Sequence, residues 1–129
     1  MIDKITVLAV DDIELNLRII RDVLKDLGDS EIIEARNGKE ALNCLAQRAD
    51  VDIVLLDLEM PVMNGYDTLR YLKAHERFRN IPVIVVSSVS SEVKKILEMG
   101  ANDFIAKPFD PGELKLRVMN HVRSKKSVT

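Results

Sequence analysis

The feature that most constrains this chain is a change of hydrophobic period that repeats from one end to the other. Ile5–Val10 is a short apolar run rich in β-branched residues. It gives way to Ile13, Leu17, Ile20, Leu24 and Leu27, spaced by 4, 3, 4 and 3, which is one face of a helix. Gly28 follows as the expected C-cap. Glu31–Ala35 reads as a second strand. Asn37 then offers an N-cap with Glu40 as capping-box partner, and Leu42, Leu45, Ala46 and Ala49 continue that helix. Ile53–Leu56 is apolar again and stops at Asp57, and a loop with Pro61 and Gly65 leads to a helix carrying Leu69 and Leu72. Pro82–Val86 is the fourth strand, with proline first, where its missing N–H does least harm. Val93, Ile96 and Leu97 mark a fourth helix closed by Gly100, and Phe104–Ala106 is a short fifth strand. The last helix begins at "DPGE", with Asp110 as cap, Pro111 in the first turn and Glu113 reaching back. Leu114, Val118 and Val122 form its buried stripe.

Five strands alternating with five helices predict an α/β fold: a parallel sheet with helices on both faces. Apolar strands agree, because a covered parallel sheet is buried on both sides. The 129 residues are the length of one domain, and a 47% hydrophobic content suffices for its core. Against 21 acidic residues stand 19 basic ones, a net −2, so the basic excess of a nucleic-acid binder is missing and no direct nucleic-acid contact is expected. The single cysteine, Cys44, excludes an internal disulfide, and beside Leu42 and Leu45 it reads as a small core residue. The opening "MIDKITV" has no signal-peptide stretch, and no apolar run approaches the ~20 residues of a membrane span. No membrane contact is expected, and the cytoplasm is the expected compartment.

In an open α/β sheet, ligands bind outside the carboxyl ends of the strands. Those ends carry Asp11 and Asp12 after the first strand, Asp57 after the third, Ser87 after the fourth and Lys107 after the fifth. No glycine-rich phosphate loop is present; "AVDDIE" stands where a dinucleotide binder would carry G-x-G-x-x-G. Carboxylates gathered in a cleft are costly, since two unit charges ~4 Å apart repel by ~4 kcal/mol at an effective dielectric near ~20. A positive group must offset them. Lys107 is one candidate and a divalent ion the other; with oxygen ligands and no His or Cys nearby, a hard cation such as Mg²⁺ is favoured.

The pieces "VDD", "LLDLEMPVMNG", "VSS" and "AKPF", each at the end of its own strand, resemble the receiver domain of two-component response regulators. The resemblance runs from about Ile5 to Arg123. It implies a flavodoxin-like sheet of order 2-1-3-4-5, an order carried over from the family. It also implies a receiver over residues 1–124, with 125–129 as a flexible tail or the start of a linker.

By the same resemblance, Asp57 accepts a phosphoryl group from a sensor histidine kinase or a phosphotransfer protein. Asp12, Asp57 and the backbone carbonyl of Glu59 would hold Mg²⁺ or Mn²⁺, with Asp11 acting mainly through water. Lys107 would meet a phosphoryl oxygen, with a cis bond to Pro108, and Ser87 would donate a hydroxyl hydrogen bond. Phe104 stands where the family places its aromatic switch, without the hydroxyl of the tyrosine often found there. Glu59 and Val89 occupy positions that tune hydrolysis. The expected output is a reshaped face of fourth helix, fifth strand and fifth helix, read by an output domain, a partner protein or a phosphorylation-dependent homodimer.

Taken singly, these residues have plainer readings. Asp11 and Asp12 could be a helix N-cap and its neighbour, Asp57 a turn residue, Lys107 a solvated charge and Phe104 core. Met60 and Met63 read as loop packing, and His75 and His121 as lone surface histidines. Co-location at one sheet edge is what distinguishes the functional reading. Two other functions are weighed. A small Mg-dependent phosphatase would present D-x-D after its first strand, whereas "DD" stands here and the nucleophile follows the third. A pseudo-receiver, binding without phosphorylation, would lack an acid or the lysine, and none is lacking.

Overall fold

Ten elements alternate along the chain, and the computed structural model describes them over residues 4–60 and 62–127, with side chains except at 90 and 124–127. The first three residues, Pro61 and the end of the tail at 128–129 lie outside the described residues. The elements are β1 (Ile5–Val10), α1 (Glu14–Leu24), β2 (Ser30–Ala35), α2 (Gly38–Gln47), β3 (Ile53–Leu56), α3 (Gly65–Ala74), β4 (Val83–Ser87), α4 (Val93–Glu98), β5 (Asp103–Ala106) and α5 (Pro111–Ser127), with a 3-10 turn at Ser90–Glu92 before α4. All strand pairings are parallel and the order is β2-β1-β3-β4-β5. The expected α/β architecture and order are both present.

The sheet separates two apolar layers. On one face Ala41 and Leu45 of α2, Leu69 and Leu72 of α3 and Ile96 of α4 pack on Leu8, Val10, Val54, Leu56 and Val85. On the other, Leu17, Ile20 and Leu24 of α1 and Leu114, Val118 and Val122 of α5 pack on Val7, Ala9, Leu55, Ile84 and Ile105. Strand residues thus alternate between two cores, which is why β1, β3 and β4 are buried throughout. Edge strand β2 is covered less and tolerates Glu31 and Glu34, which pair outward with Arg48 and Arg21.

Several boundaries differ from the sequence reading. Helix α1 starts at Glu14, leaving Ile13 as an exposed N-cap residue. Its C-cap is Lys25; Gly28 instead takes a left-handed φ of 82° in the turn beyond. Helix α2 stops at Gln47 with Ala46 exposed and Ala49 beyond its end, because the inward stripe runs through Gly38, Ala41 and Leu45. Glu40 reaches the N–H of Arg36 rather than that of Asn37, while Asn37 caps the Glu40 N–H as expected. Asp110 caps the Glu113 N–H at 2.9 Å, but the Glu113 carboxylate lies toward Arg117. Pro82 precedes β4, and Ser87 closes it. Leu97 points outward, and Met60 joins the core.

The loop after β3 is held down by a close approach. The N–H of Gly65 donates to the Leu58 carbonyl at 2.9 Å, and a Cβ on Gly65 would overlap the Asp57 carbonyl oxygen and Leu58 Cα. Backbone cannot yield as a flexible side chain can. Gly65→Ala is expected to cost about 3 kcal/mol, at the upper end of overpacking penalties, read as a lowered urea midpoint with an unchanged slope.

Candidate functional site

Asp11, Asp57 and Lys107 each sit one residue past the end of a strand, where the parallel ladder still has one bond to make. The Asp11 N–H donates to the Ala35 carbonyl at 3.0 Å, that of Asp57 to Val10 at 3.0 Å and that of Lys107 to Ser87 at 2.9 Å. The backbone that carries each side chain is thereby held by the neighbouring strand.

Carboxylate oxygens of Asp11, Asp12 and Asp57 all lie within 4.8 Å of one another. Lys107 Nζ stands 3.0 Å from Asp11 Oδ2 and 3.4 Å from Asp57 Oδ1. Asp11 is 2% exposed, Asp57 6% and Ser87 1%, while Asp12 faces solvent. The structure therefore brings Asp11, Asp12, Asp57 and Lys107 together at the sheet edge. The peptide bond between Lys107 and Pro108 is cis, as the resemblance implied.

The two adjacent acids differ in their bonding. Asp11 Oδ1 accepts from the Ile13 N–H at 3.0 Å, and Oδ2 accepts from Lys107 and, at 3.1 Å, from Asn16 Nδ2. Neither acid is the N-cap of α1, a place taken by Ile13 without any side-chain bond. Asp12 has no hydrogen bond or ion pair among the described residues, and Asp57 uses only Oδ1, toward Lys107 and the Glu59 N–H. Ser87 Oγ accepts from the Val89 N–H at 3.1 Å, and its own proton has no acceptor among the described residues. Phe104, opposite Val85 in the sheet, is half-buried against the core beneath α2, α3 and α4.

Three carboxylates against one ammonium leave two negative charges uncompensated. Oxygen-only donors with unused lone pairs on Asp12 and Asp57 fit a hard divalent cation. A cavity of about 330 Å³ beside Lys107 is lined by Asn16, Ile19, Ser88, Pro108 and Phe109.

Some of what surrounds the site was not foreseen. Asn16, five residues after Asp11, carries no motif of its own, although a polar side chain one turn past an acid is the available signal. His121 is not a lone histidine: its Nε2 lies 3.0 Å from Asp103 Oδ2. His75 stacks between Tyr71 and Phe78. Cys44 is partly buried, and burial pushes its thiol up, in keeping with a packing residue.

The sequence profile of the response regulator receiver domain matches residues 7–119. The chain belongs to that family. This receiver is 39% identical over 110 residues to chemotaxis protein CheY1 of Helicobacter pylori strain J99, which covers 84% of the chain and 89% of that protein. It is similar in structure to the signal receiver domain of a signal transduction histidine kinase from Syntrophus aciditrophicus, with TM-score 0.87, 32% identity, and 96% and 94% of the two chains covered. It also resembles the receiver domain of sensor histidine kinase PA1611 from Pseudomonas aeruginosa, described with a magnesium ion in its active site cleft, with TM-score 0.82, 27% identity, and 93% and 98% covered. No helix among the receiver's described residues is long and apolar enough to cross a membrane.

Burial pushes the Asp57 carboxyl above its ordinary 3.8; Lys107 pulls it down and the Asp11 carboxylate pushes it up, and burial prevails. The folded chain thus holds this proton more tightly than the unfolded chain, so ionisation of Asp57 disfavours folding. The loss begins as pH rises through 3.8 and is complete above the raised value. Asp57→Asn is expected to have the higher urea midpoint at neutral pH, with the two midpoints converging in acid below 3.8.

Proposed function

We propose that this chain is a phosphoacceptor switch of a two-component system, with Asp57 as the acceptor. The observation that carries the reading is the unengaged Oδ2 of Asp57 within a cluster whose nearest cation, Lys107, already touches both Asp57 and Asp11. The donor is a phosphohistidine on a sensor histidine kinase or phosphotransfer protein. The Asp57 carboxylate attacks phosphorus, the phosphorus–nitrogen bond breaks, and the imidazole leaves with a proton, giving an aspartyl phosphate.

Asp12, Asp57 and the backbone carbonyl of Glu59 hold a divalent cation, Mg²⁺ or Mn²⁺, whose charge offsets that of the transferred group. Asp11, its oxygens occupied by Lys107, Asn16 and the Ile13 N–H, acts through water. Lys107 offers an ammonium to one phosphoryl oxygen, and the free Ser87 proton reaches another. Phosphorylation adds roughly 1.5 to 2 negative charges. That change draws Ser87 and the loop after β4 inward, turns Phe104, and reshapes the face of α4, β5 and α5 for an output domain, a partner protein or a second copy. Residues 1–124 form the receiver, in a cytoplasmic setting. A phosphatase would need turnover of external phosphomonoesters, and a pseudo-receiver a defective site.

Intact-mass analysis after acetyl phosphate with Mg²⁺ tests the reading. Wild type gains one phosphoryl group, Asp57→Asn gains none, and Asp12→Ala is slowed about a hundredfold, the scale of losing one charge-stabilising group. Labelling of Asp57→Asn to the wild-type extent refutes the assignment. In a second measurement, beryllofluoride with Mg²⁺ is expected to shift the backbone resonances of residues 87–107. Unmoved resonances there refute the switch.

A further inference from the structure

Asp103 opens β5, immediately before Phe104, and its carboxylate is engaged from two elements. Oδ1 accepts from the N–H of Phe104 at 2.8 Å and from Arg117 Nη1 at 2.8 Å. Oδ2 lies 3.0 Å from Arg117 Nη1 and 3.0 Å from His121 Nε2. Arg117 and His121 are four residues apart on α5 and so share one face. Both members of the His121–Asp103 pair are largely withdrawn from water, with side chains 24% and 20% exposed. The contact lies on the wall of a cavity of about 730 Å³. The charged groups lining it beside His121 are Asp103 of β5, Asp110 before α5, and Glu113 and Arg117 of α5.

We propose that His121 is a positioning residue for the Phe104 switch: a proton-controlled strap that holds α5 against β5 in the unphosphorylated arrangement. The inference rests on the phosphoacceptor reading. Arg117 is charged at every accessible pH, so its grip on Asp103 is constant. The imidazole is the part that changes, because histidine gains its charge between pH ~5 and ~8. When protonated it adds a second charge-assisted bond to the carboxylate. Asp103 stays ionised across that range: burial pushes its carboxyl up, but His121, the Phe104 N–H and Arg117 together hold it below the usual value. Since the same carboxylate accepts the Phe104 amide, tightening it fixes the backbone that Phe104 must move with. Acid therefore raises the amount of phosphoryl signal needed to switch the face.

The test titrates the whole chain with beryllofluoride in excess Mg²⁺ at pH ~6 and ~8, either side of the ~6.5 of an ordinary histidine side chain, following the amide resonances of Ser87 and Phe104. Wild type is expected to need about threefold more beryllofluoride at the lower pH, the scale of a partly exposed ion pair. His121→Gln, which keeps an uncharged donor, should show a ratio near unity. Protonation of the acidic cluster affects both proteins alike, so the difference between their ratios is the readout. Asp103→Asn removes the charge from the other side and should flatten the profile equally, so the result does not depend on one variant folding. Wild type that shifts normally but shares its pH ratio with both variants overturns the strap alone. Wild type that shifts at neither pH overturns the phosphoacceptor reading and takes the strap with it.

Discussion

Asp11, Asp12 and Asp57 repel one another, and a single ammonium, on Lys107, stands among them. Side-chain rotation can relax that imbalance only over a short range, because three of the four residues are anchored through their backbones. Asp11, Asp57 and Lys107 each complete the hydrogen-bond ladder of the adjacent strand. Moving the backbone of any of these residues away means giving up a ladder bond, at roughly 1 to 3 kcal/mol for the group left unsatisfied. The sheet thus holds charges together that would separate on a softer scaffold. What remains is a cluster whose donors fit a cation, and where an added anion would alter the balance.

Adjacent residues in this site have different chemistry because of the turn that carries them. Asp11 lies inside the cleft, its oxygens taken by an ammonium, an amide and a backbone N–H. Asp12, one residue on, faces solvent with nothing bound among the described residues. The first is therefore part of the framework and the second is available to a ligand. A pair of like charges side by side is sustained because one is buried and fully bonded while the other keeps its contact with solvent.

Much of this was legible in the sequence, for a physical reason. Strands buried on both faces must be apolar along their length, so their ends are marked by the first charged or polar residue, as with Asp11 and Asp57. The helices were legible through period and caps, Asn37 and Asp110 being examples. Less legible was whatever depends on a few degrees of helix rotation. Ile13 fits the α1 stripe by spacing yet stands outside the helix, exposed. Ala46 and Ala49 continue the α2 pattern, but Ala46 falls off its inward face and Ala49 lies beyond its end, because small residues mark that face weakly. The ties from Asn16 to Asp11 and from His121 to Asp103 join elements distant in the fold, and polar residues on helix surfaces give no sign of which acid they will meet. The family resemblance supplied roles and strand order, which spacing alone could not.

Strand β5 is where site and surface meet. It is four residues long and lies at the sheet edge, paired only with β4. Its two exits are held by charge: Asp103 before Phe104 is bound by α5, and Lys107 just beyond Ala106 is bound by the acidic cluster. Between them Phe104 packs into one core and Ile105 into the other. A strand this short, with few ladder bonds, belongs to the less stable part of a sheet, the part from which moving elements are drawn. On the proposed reading, a new anion at the Lys107 end would redistribute one of its two electrostatic ties, and the displacement would meet resistance at the other end, where α5 holds Asp103. The response of the outer face would then be a contest between two ion clusters acting on one strand, and the residues setting that contest stand at opposite ends of β5.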